Sequence, residues 1–317
     1  MTKIHFHDLY PPLVDIKKEI IDGLSKENKT ISPKFFYDSV GSKLFDEITE
    51  SPEYYPTRTE IGILKKYGKE MLSIIGNNSL LIEWGSGSSQ KIRLLLDILE
   101  PEIYMPIDIS KQHLQKSVQS LAKDHPKLNI HAVCADYSNG FLRLPPISEK
   151  FHKVAFFPGS SIGNFEPEQA KHLLTRIASL LGRDGILLIG VDLKKDIKIL
   201  NSAYNDKKGT TATFNLNLLK RLNRELKTNF DISSFNHKAF YNEKEGRIEM
   251  HLVSNISQEV MLDNYKFSFQ KGETIHTENS YKFTIEEFQT LVSKAGFHAE
   301  KVWTDSSNFF SVHCLRV

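Results

Sequence analysis

Between residues 79 and 191 short apolar runs alternate with amphipathic stretches, and the first run ends in the glycine-rich turn Gly85-Ser86-Gly87-Ser88-Ser89. No other feature constrains the fold as strongly, because a run that is apolar on both faces must be covered on both sides. Residues 80–84, 103–108, 130–134, 154–157 and 185–191 read as strands, and 90–99, 110–123 and 166–181 as helices between them. Ser110 stands as the N-cap of the second of these helices, and Gly182 as the stop of the third. The order is that of βαβ units in a doubly wound, mostly parallel sheet.

The alternation stops near Lys194. Residues 196–227 read as helical and 235–283 as several strands, with period two clearest in Arg247-Ile248-Glu249-Met250-His251-Leu252. A helix over 284–295, ended by Gly296, and strands over 299–303 and 309–315 close the chain. Upstream, Leu13, Ile16, Ile20, Ile21 and Leu24 mark an amphipathic helix within 11–27. Residues 33–58 then crowd Phe35, Phe36, Tyr37, Phe45, Tyr54 and Tyr55 around Gly41, too many rings for a solvated linker. Thr57 or Thr59 offers the N-cap of a helix running to about residue 75. The expected organisation is an α/β doubly wound domain of residues 60–195 and 284–317, with a second, mixed α+β lobe of residues 1–59 and 196–283. A small-molecule site is expected in a cleft between lobes.

Composition removes several function classes. With 41 Lys+Arg against 39 Asp+Glu the net charge is +2, and no basic run supplies the phosphate attraction that nucleic acid requires. No stretch approaches the roughly 18 apolar residues of a membrane helix. Residues 1–10 lack the pattern of a secretory signal. Cys134 and Cys314 lie in apolar runs and read as buried thiols, and the twelve histidines form no H-x-x-x-H or His/Cys cluster, so no metal is expected. The expectation is a cytoplasmic monomer acting on a small molecule.

In the turn after the first strand, glycines let the backbone approach a ligand, and the following helix offers free N–H groups. A dinucleotide site would need a third glycine where Gln90 stands, which disfavours an NAD-dependent oxidoreductase. Glu83, two residues before Gly85, instead makes the E/D-x-G-x-G form seen in class I S-adenosylmethionine-dependent methyltransferases. Asp108 ends the next strand, where a carboxylate accepts from ribose hydroxyls. Asp136 and Tyr137 end the third, placed to meet an adenine amino group and ring. Lys91 is placed for the ligand carboxylate. Taken singly, each is also what a helix cap or turn uses; their joint spacing favours a nucleoside. After the fourth strand, Gly159 permits close backbone approach, and Asn164 brings a donor and an acceptor near the expected methyl group.

Over nearly its whole length the chain resembles the histidine-specific methyltransferase family of the ergothioneine pathway, the L-histidine Nα-methyltransferases. The matching segments include Phe35-Phe36-Tyr37-Asp38, Pro52-Glu53-Tyr54-Tyr55-Pro56-Thr57-Arg58, Gly159-Ser160-Ser161-Ile162-Gly163-Asn164, Ala203-Tyr204, Phe214-Asn215, Ile248-Glu249-Met250 and Thr277-Glu278-Asn279-Ser280. The resemblance implies a class I methyltransferase-type sheet with a substrate-binding lobe, S-adenosylmethionine as cofactor, and three successive methylations of the α-amine of histidine to give hercynine. It also implies that Asn164 and Tyr204 hold the amino-acid end and that Tyr37 lies near the α-amine. Tyr54, Glu278 and Ser280 would face the imidazole, with Met250 beside it. Relatives that methylate tryptophan derivatives keep another amino-acid-like amine open as acceptor. The cofactor set is then Glu83, Gly85, Ser86, Gly87, Lys91, Asp108, Asp136, Tyr137 and Gly159.

Overall fold

The computed structural model describes residues 3–9, 13–87, 90–138, 144–145 and 151–317, so Ser88 and Ser89 of the glycine-rich turn lie outside the described residues. In chain order the first elements are β1 (Ile4–Leu9), α1 (Leu13–Leu24), β2 (Lys29–Thr30), α2 (Ser39–Thr49), α3 (Tyr55–Ile75), β3 (Ser79–Trp84), α4 (Gln90–Leu99), β4 (Ile103–Asp108), α5 (Lys111–Asp124) and β5 (Asn129–Ala135). They are followed by β6 (His152–Phe157), α6 (Pro167–Leu181), β7 (Ile186–Asp192), α7 (Ile197–Ala203), α8 (Thr210–Leu226), β8 (Phe235–Asn242) and β9 (Arg247–Ser254). Last come β10 (Gln258–Leu262), β11 (Tyr265–Phe269), β12 (Thr274–Tyr281), α9 (Ile285–Ser293), β13 (His298–Thr304) and β14 (Phe310–Arg316). Among the described residues no helix is long and apolar enough to cross a membrane.

The chain divides into two compact units. The first comprises Met1–Tyr10, Pro56–Lys194 and Tyr281–Val317. Its sheet has the order β1-β5-β4-β3-β6-β7-β14-β13, in which β14 alone runs antiparallel to its neighbours. Alternate residues of each strand enter two separate apolar layers: Leu81, Phe156 and Leu188 pack with α3, α4 and α5, and Ile82, Phe157 and Ile189 with α6 and α9. Cys134 and Cys314 are buried free thiols in this sheet. Strand order reverses between β3 and β6, which places a crevice at the carboxyl ends of these strands.

The second unit comprises Pro11–Tyr55 and Lys195–Ser280. It holds the sheet β2-β12-β9-β8 and a β10-β11 hairpin. The crowded rings of residues 33–55 are its core: Phe36 packs on Phe214 of α8 at 4.5 Å between centroids, and Phe45 lies between Tyr37 at 5.7 Å and Tyr54 at 6.2 Å.

Several local expectations are corrected. The first residues do not belong with the second lobe: β1 pairs in parallel with β5, from Ile4 opposite Ile130 to Leu9 opposite Ala135. Residues 39–49 form α2, capped by Asp38, whose Oδ1 accepts from Val40 N at 3.1 Å and Gly41 N at 2.7 Å. Helix α3 begins at Tyr55, with Pro56 in its first turn, so Thr57 and Thr59 are inside it and do not cap it. Ser110 makes no side-chain cap; its own N–H donates to Asp108 Oδ1 at 2.7 Å. The expected helix over 196–227 is broken, because Asp206 accepts from Thr210 N at 2.9 Å and Thr211 N at 2.7 Å and so starts α8 afresh.

Candidate functional site

In the first unit the strand tips bring the expected cofactor residues together through specific contacts. Gly85 and Ser86 turn out of β3 by donating their N–H groups to Ile107 O at 2.9 and 3.2 Å, which ties the turn to β4. Gly85 has φ of +73°, which favours glycine, and a β-carbon there would lie 3.1 Å from the Tyr137 hydroxyl. Gly87 N donates to Asp108 Oδ2 at 3.1 Å, and His113 Nε2 lies 2.9 Å from Gly87 O. Each oxygen of Asp108 thus holds one backbone N–H and keeps further acceptor capacity. Burial raises its carboxyl above the ordinary range, against the pull of the Ser110 and Gly87 amides. Asp136 accepts from Ser138 N at 2.9 Å, and the Tyr137 ring meets Phe157 edge-on at 6.0 Å.

Glu83 lies beneath this turn, 1% exposed, and accepts a hydrogen bond from the Tyr104 hydroxyl. Burial pushes its carboxyl up to about 8, and neither Tyr104 nor Lys91 offsets that. The carboxyl therefore holds its proton below that pH.

Sequence reading missed three residues beside the crevice. Glu60 of α3 is fully buried, accepts from Gly159 N and pairs with Lys91. Lys282 and Asp192 form an ion pair of 2.7 Å with side chains 0% and 1% exposed. The Asp192 amide also donates to Ser160 Oγ at 2.9 Å. No local spacing marks such partners, which lie about 30 to 100 residues apart; the one available signal was Gly190, a glycine inside an otherwise apolar strand. Asn164 ends a 3₁₀ turn, Ser161–Asn164, after β6.

In the second unit Tyr54, Tyr204 and Ser280 converge. The Tyr54 and Tyr204 rings meet edge-on at 6.2 Å, and the buried Tyr204 hydroxyl donates to Ser280 Oγ at 2.8 Å. Tyr37 joins this set through Phe45. Met250 is buried in β9, and its carbonyl accepts from Thr277 Oγ1 at 3.1 Å. Glu278 stands two residues before Ser280 on β12, partly buried. Asp38, next to Tyr37, is anchored to α8 by Asn217 Nδ2 at 3.0 Å and by Arg224 at 2.6 Å. Burial would raise the Asp38 carboxyl, but the Gly41 amide, Arg224 and Asn217 together hold it below its ordinary value.

One set of metal-type donors comes together among the described residues: Glu249, His251 and His276, with ligand atoms within 4.8 Å of one another. It was invisible as a motif because it spans two strands. The His251 ring stacks on His276 at 4.5 Å and on Phe240 at 5.6 Å, and Arg247 Nε lies 2.9 Å from Glu249 Oε1. Burial lowers both imidazoles, while hydrogen bonds from His251, Arg247 and Asn242 overcome burial at Glu249 and hold it at about 2. His251 Nε2 lies 3.0 Å from Glu249 Oε2, His276 Nε2 lies 3.1 Å from Glu278 O, and the Arg247 guanidinium shares the Glu249 carboxylate. The set is a ring stack held by a carboxylate.

Comparison with known proteins bears on the whole chain. The family described as histidine-specific methyltransferase, SAM-dependent, matches residues 16–317. The Histidine N-alpha-methyltransferase of Mycolicibacterium smegmatis is 37% identical, over 94% of this chain and 93% of that protein. Ergothioneine biosynthesis protein 1 of Neurospora crassa is 30% identical over 95% of this chain, which spans 35% of that longer protein. The 4-dimethylallyltryptophan N-methyltransferase easF of Aspergillus fumigatus is 27% identical, over 93% of this chain and 94% of that one.

Proposed function

The chain belongs to the histidine-specific, S-adenosylmethionine-dependent methyltransferase family, and on that footing we propose that it methylates the α-amine of L-histidine three times to give hercynine. The observation that carries this reading is the 37% identity, across 94% of the chain, to a histidine Nα-methyltransferase. The residues present suit the cofactor: a glycine turn at a switch point, an aspartate with acceptor capacity left on both oxygens, and a lysine at the start of the next helix.

In this reading Asp108 receives the ribose hydroxyls, Asp136 the adenine amino group, and Tyr137 packs against the adenine. The backbone of Gly85, Ser86 and Gly87 lines the ligand, Glu83 supports that turn from below, and Lys91 meets the carboxylate. Gly159 contributes close approach through its carbonyl side, since its N–H is committed to Glu60. Bound there, the cofactor supplies an electrophilic methyl group on a sulfonium, open to in-line displacement by a neutral amine.

The chain's own work is placement and proton handling, and no covalent nucleophile is needed. Asn164 and Tyr204 hold the amino-acid end of histidine. The Tyr37 oxygen accepts from the α-ammonium and assists loss of its proton. Glu278 accepts from one imidazole N–H. Ser280, whose oxygen accepts from Tyr204, meets the other ring nitrogen. Tyr54 and Met250 complete the ring pocket. An apolar side chain there would offer Glu278 and Ser280 no polar contact, which is the physical basis of selectivity.

The test is incubation with S-adenosylmethionine and a panel of amino acids, followed by mass spectrometry. A product three methyl groups heavier than histidine, absent with tryptophan, is expected. Methylation of tryptophan derivatives in preference to histidine would replace this acceptor with the second one.

A further inference from the structure

Glu60 lies on the second turn of α3 with 0% of its surface exposed. Its carboxylate accepts from Gly159 N, at 2.9 Å to Oε2 and 3.2 Å to Oε1, and Oε2 lies 2.7 Å from Lys91 Nζ. A β-carbon on Gly190 would lie 2.1 Å from Oε1, so the glycine in the middle of β7 is what makes room for the carboxylate. An acidic side chain so buried is tolerated only if its partners are good. Those partners are the first turn of α4 and the tip of β6, the two elements that flank the switch point.

We propose that Glu60 is a positioning residue: it fixes Lys91 and the Gly159 backbone in advance for the α-amino-acid end of the cofactor, and thereby makes the site select nucleosides that carry that end. The proposal rests on the cofactor reading above. A lysine is a hydrated point charge on a flexible four-carbon stem, and at a helix start its default course is into water. Pairing with Glu60 removes that freedom before a ligand arrives, so binding does not have to order the side chain. One ammonium proton is directed at Glu60, and two remain for a ligand carboxylate. The Gly159 turn is held by the same carboxylate, which places both walls of the subsite under one group.

The test uses the full chain as wild type, Glu60→Gln and Lys91→Met, titrated calorimetrically with S-adenosylhomocysteine and with 5′-methylthioadenosine, which keeps the nucleoside and lacks the amino-acid end. Glu60→Gln is expected to weaken S-adenosylhomocysteine by about ten- to a hundredfold, the worth of a charged hydrogen bond. Binding of 5′-methylthioadenosine should stay within about twofold, the spread of uncoupled sites. Lys91→Met should show the same split, and the double variant should be no weaker than the weaker single, because both changes break one contact.

Equal loss for the two nucleosides in Glu60→Gln would make the residue merely structural and overturn the proposal. Unchanged or tighter S-adenosylhomocysteine binding would overturn it as well. Should Glu60→Gln not fold, Lys91→Met decides alone, and the absence of its split sinks the idea. A wild type that binds neither nucleoside removes the cofactor reading itself, a failure distinct from loss of selectivity in the variants.

Discussion

The Tyr204 hydroxyl donates to Ser280 Oγ at 2.8 Å, and both side chains are buried, at 7% and 3% exposure. Tyr204→Phe removes this bond while keeping the ring that packs on Tyr54. The KM for histidine should rise about tenfold, the cost of one hydrogen bond, with S-adenosylhomocysteine binding unchanged. Initial rates and calorimetry on one preparation check both halves.

Glu278→Ala and Asp108→Ala should separate acceptor from cofactor. The first is expected to cut kcat/KM for histidine by about a hundredfold or more and leave cofactor affinity alone, since a carboxylate reading an N–H is hard to replace. The second should chiefly weaken S-adenosylmethionine. Equal losses of both affinities in either variant would remove that residue from its assigned role.

Lys282 and Asp192 are a buried ion pair, so removing one charge takes the opposite charge away from the other. Lys282→Met should cost about 3–5 kcal/mol in urea unfolding. Lys282→Met combined with Asp192→Asn should recover part of that, because no buried charge is then left alone. A double variant as unstable as the sum of the singles would show that the two charges are not coupled.

Glu83 gives stability a pH dependence. Its carboxyl is raised to about 8 in the folded chain, against an ordinary value of 4.5 when unfolded. Between these values the native state holds a proton that the unfolded state has lost, so this contribution is complete below the lower value and falls as pH rises, by up to roughly 1.4 kcal/mol per pH unit. Glu83→Gln keeps an acceptor for the Tyr104 hydroxyl without the titration. Its stability should decline less than that of wild type from pH 5 to 8, and parallel curves in denaturant titrations would contradict the assignment.

Much of the first unit was legible because its buried strands each carry their own signal. Residues 103–108 and 90–99 are apolar or amphipathic over their whole length, and the observed β4 and α4 have those bounds. The motif residues Gly85, Gly87 and Asp108 lie within 23 residues of one another, and their contacts follow from adjacent strand ends. By contrast, β1 is mostly exposed at the edge of the sheet, so its pattern is weak, and only pairing with β5 makes it a strand. Helix α2 was obscured by the aromatic residues around it, whose helical character is decided by Asp38 and by packing on α8.

The sequence by itself determined the doubly wound sheet, the glycine turn with its acidic partners, and the family, because these depend on local periodicity and on short motifs. Only the tertiary structure decided that Glu60 sits against Gly190 and holds Lys91, that Asp192 meets Lys282, and that Glu83 is buried against the Tyr104 hydroxyl. Those relations join residues that are distant in the chain, and their energies depend on desolvation, which exists only once the surrounding layers have closed.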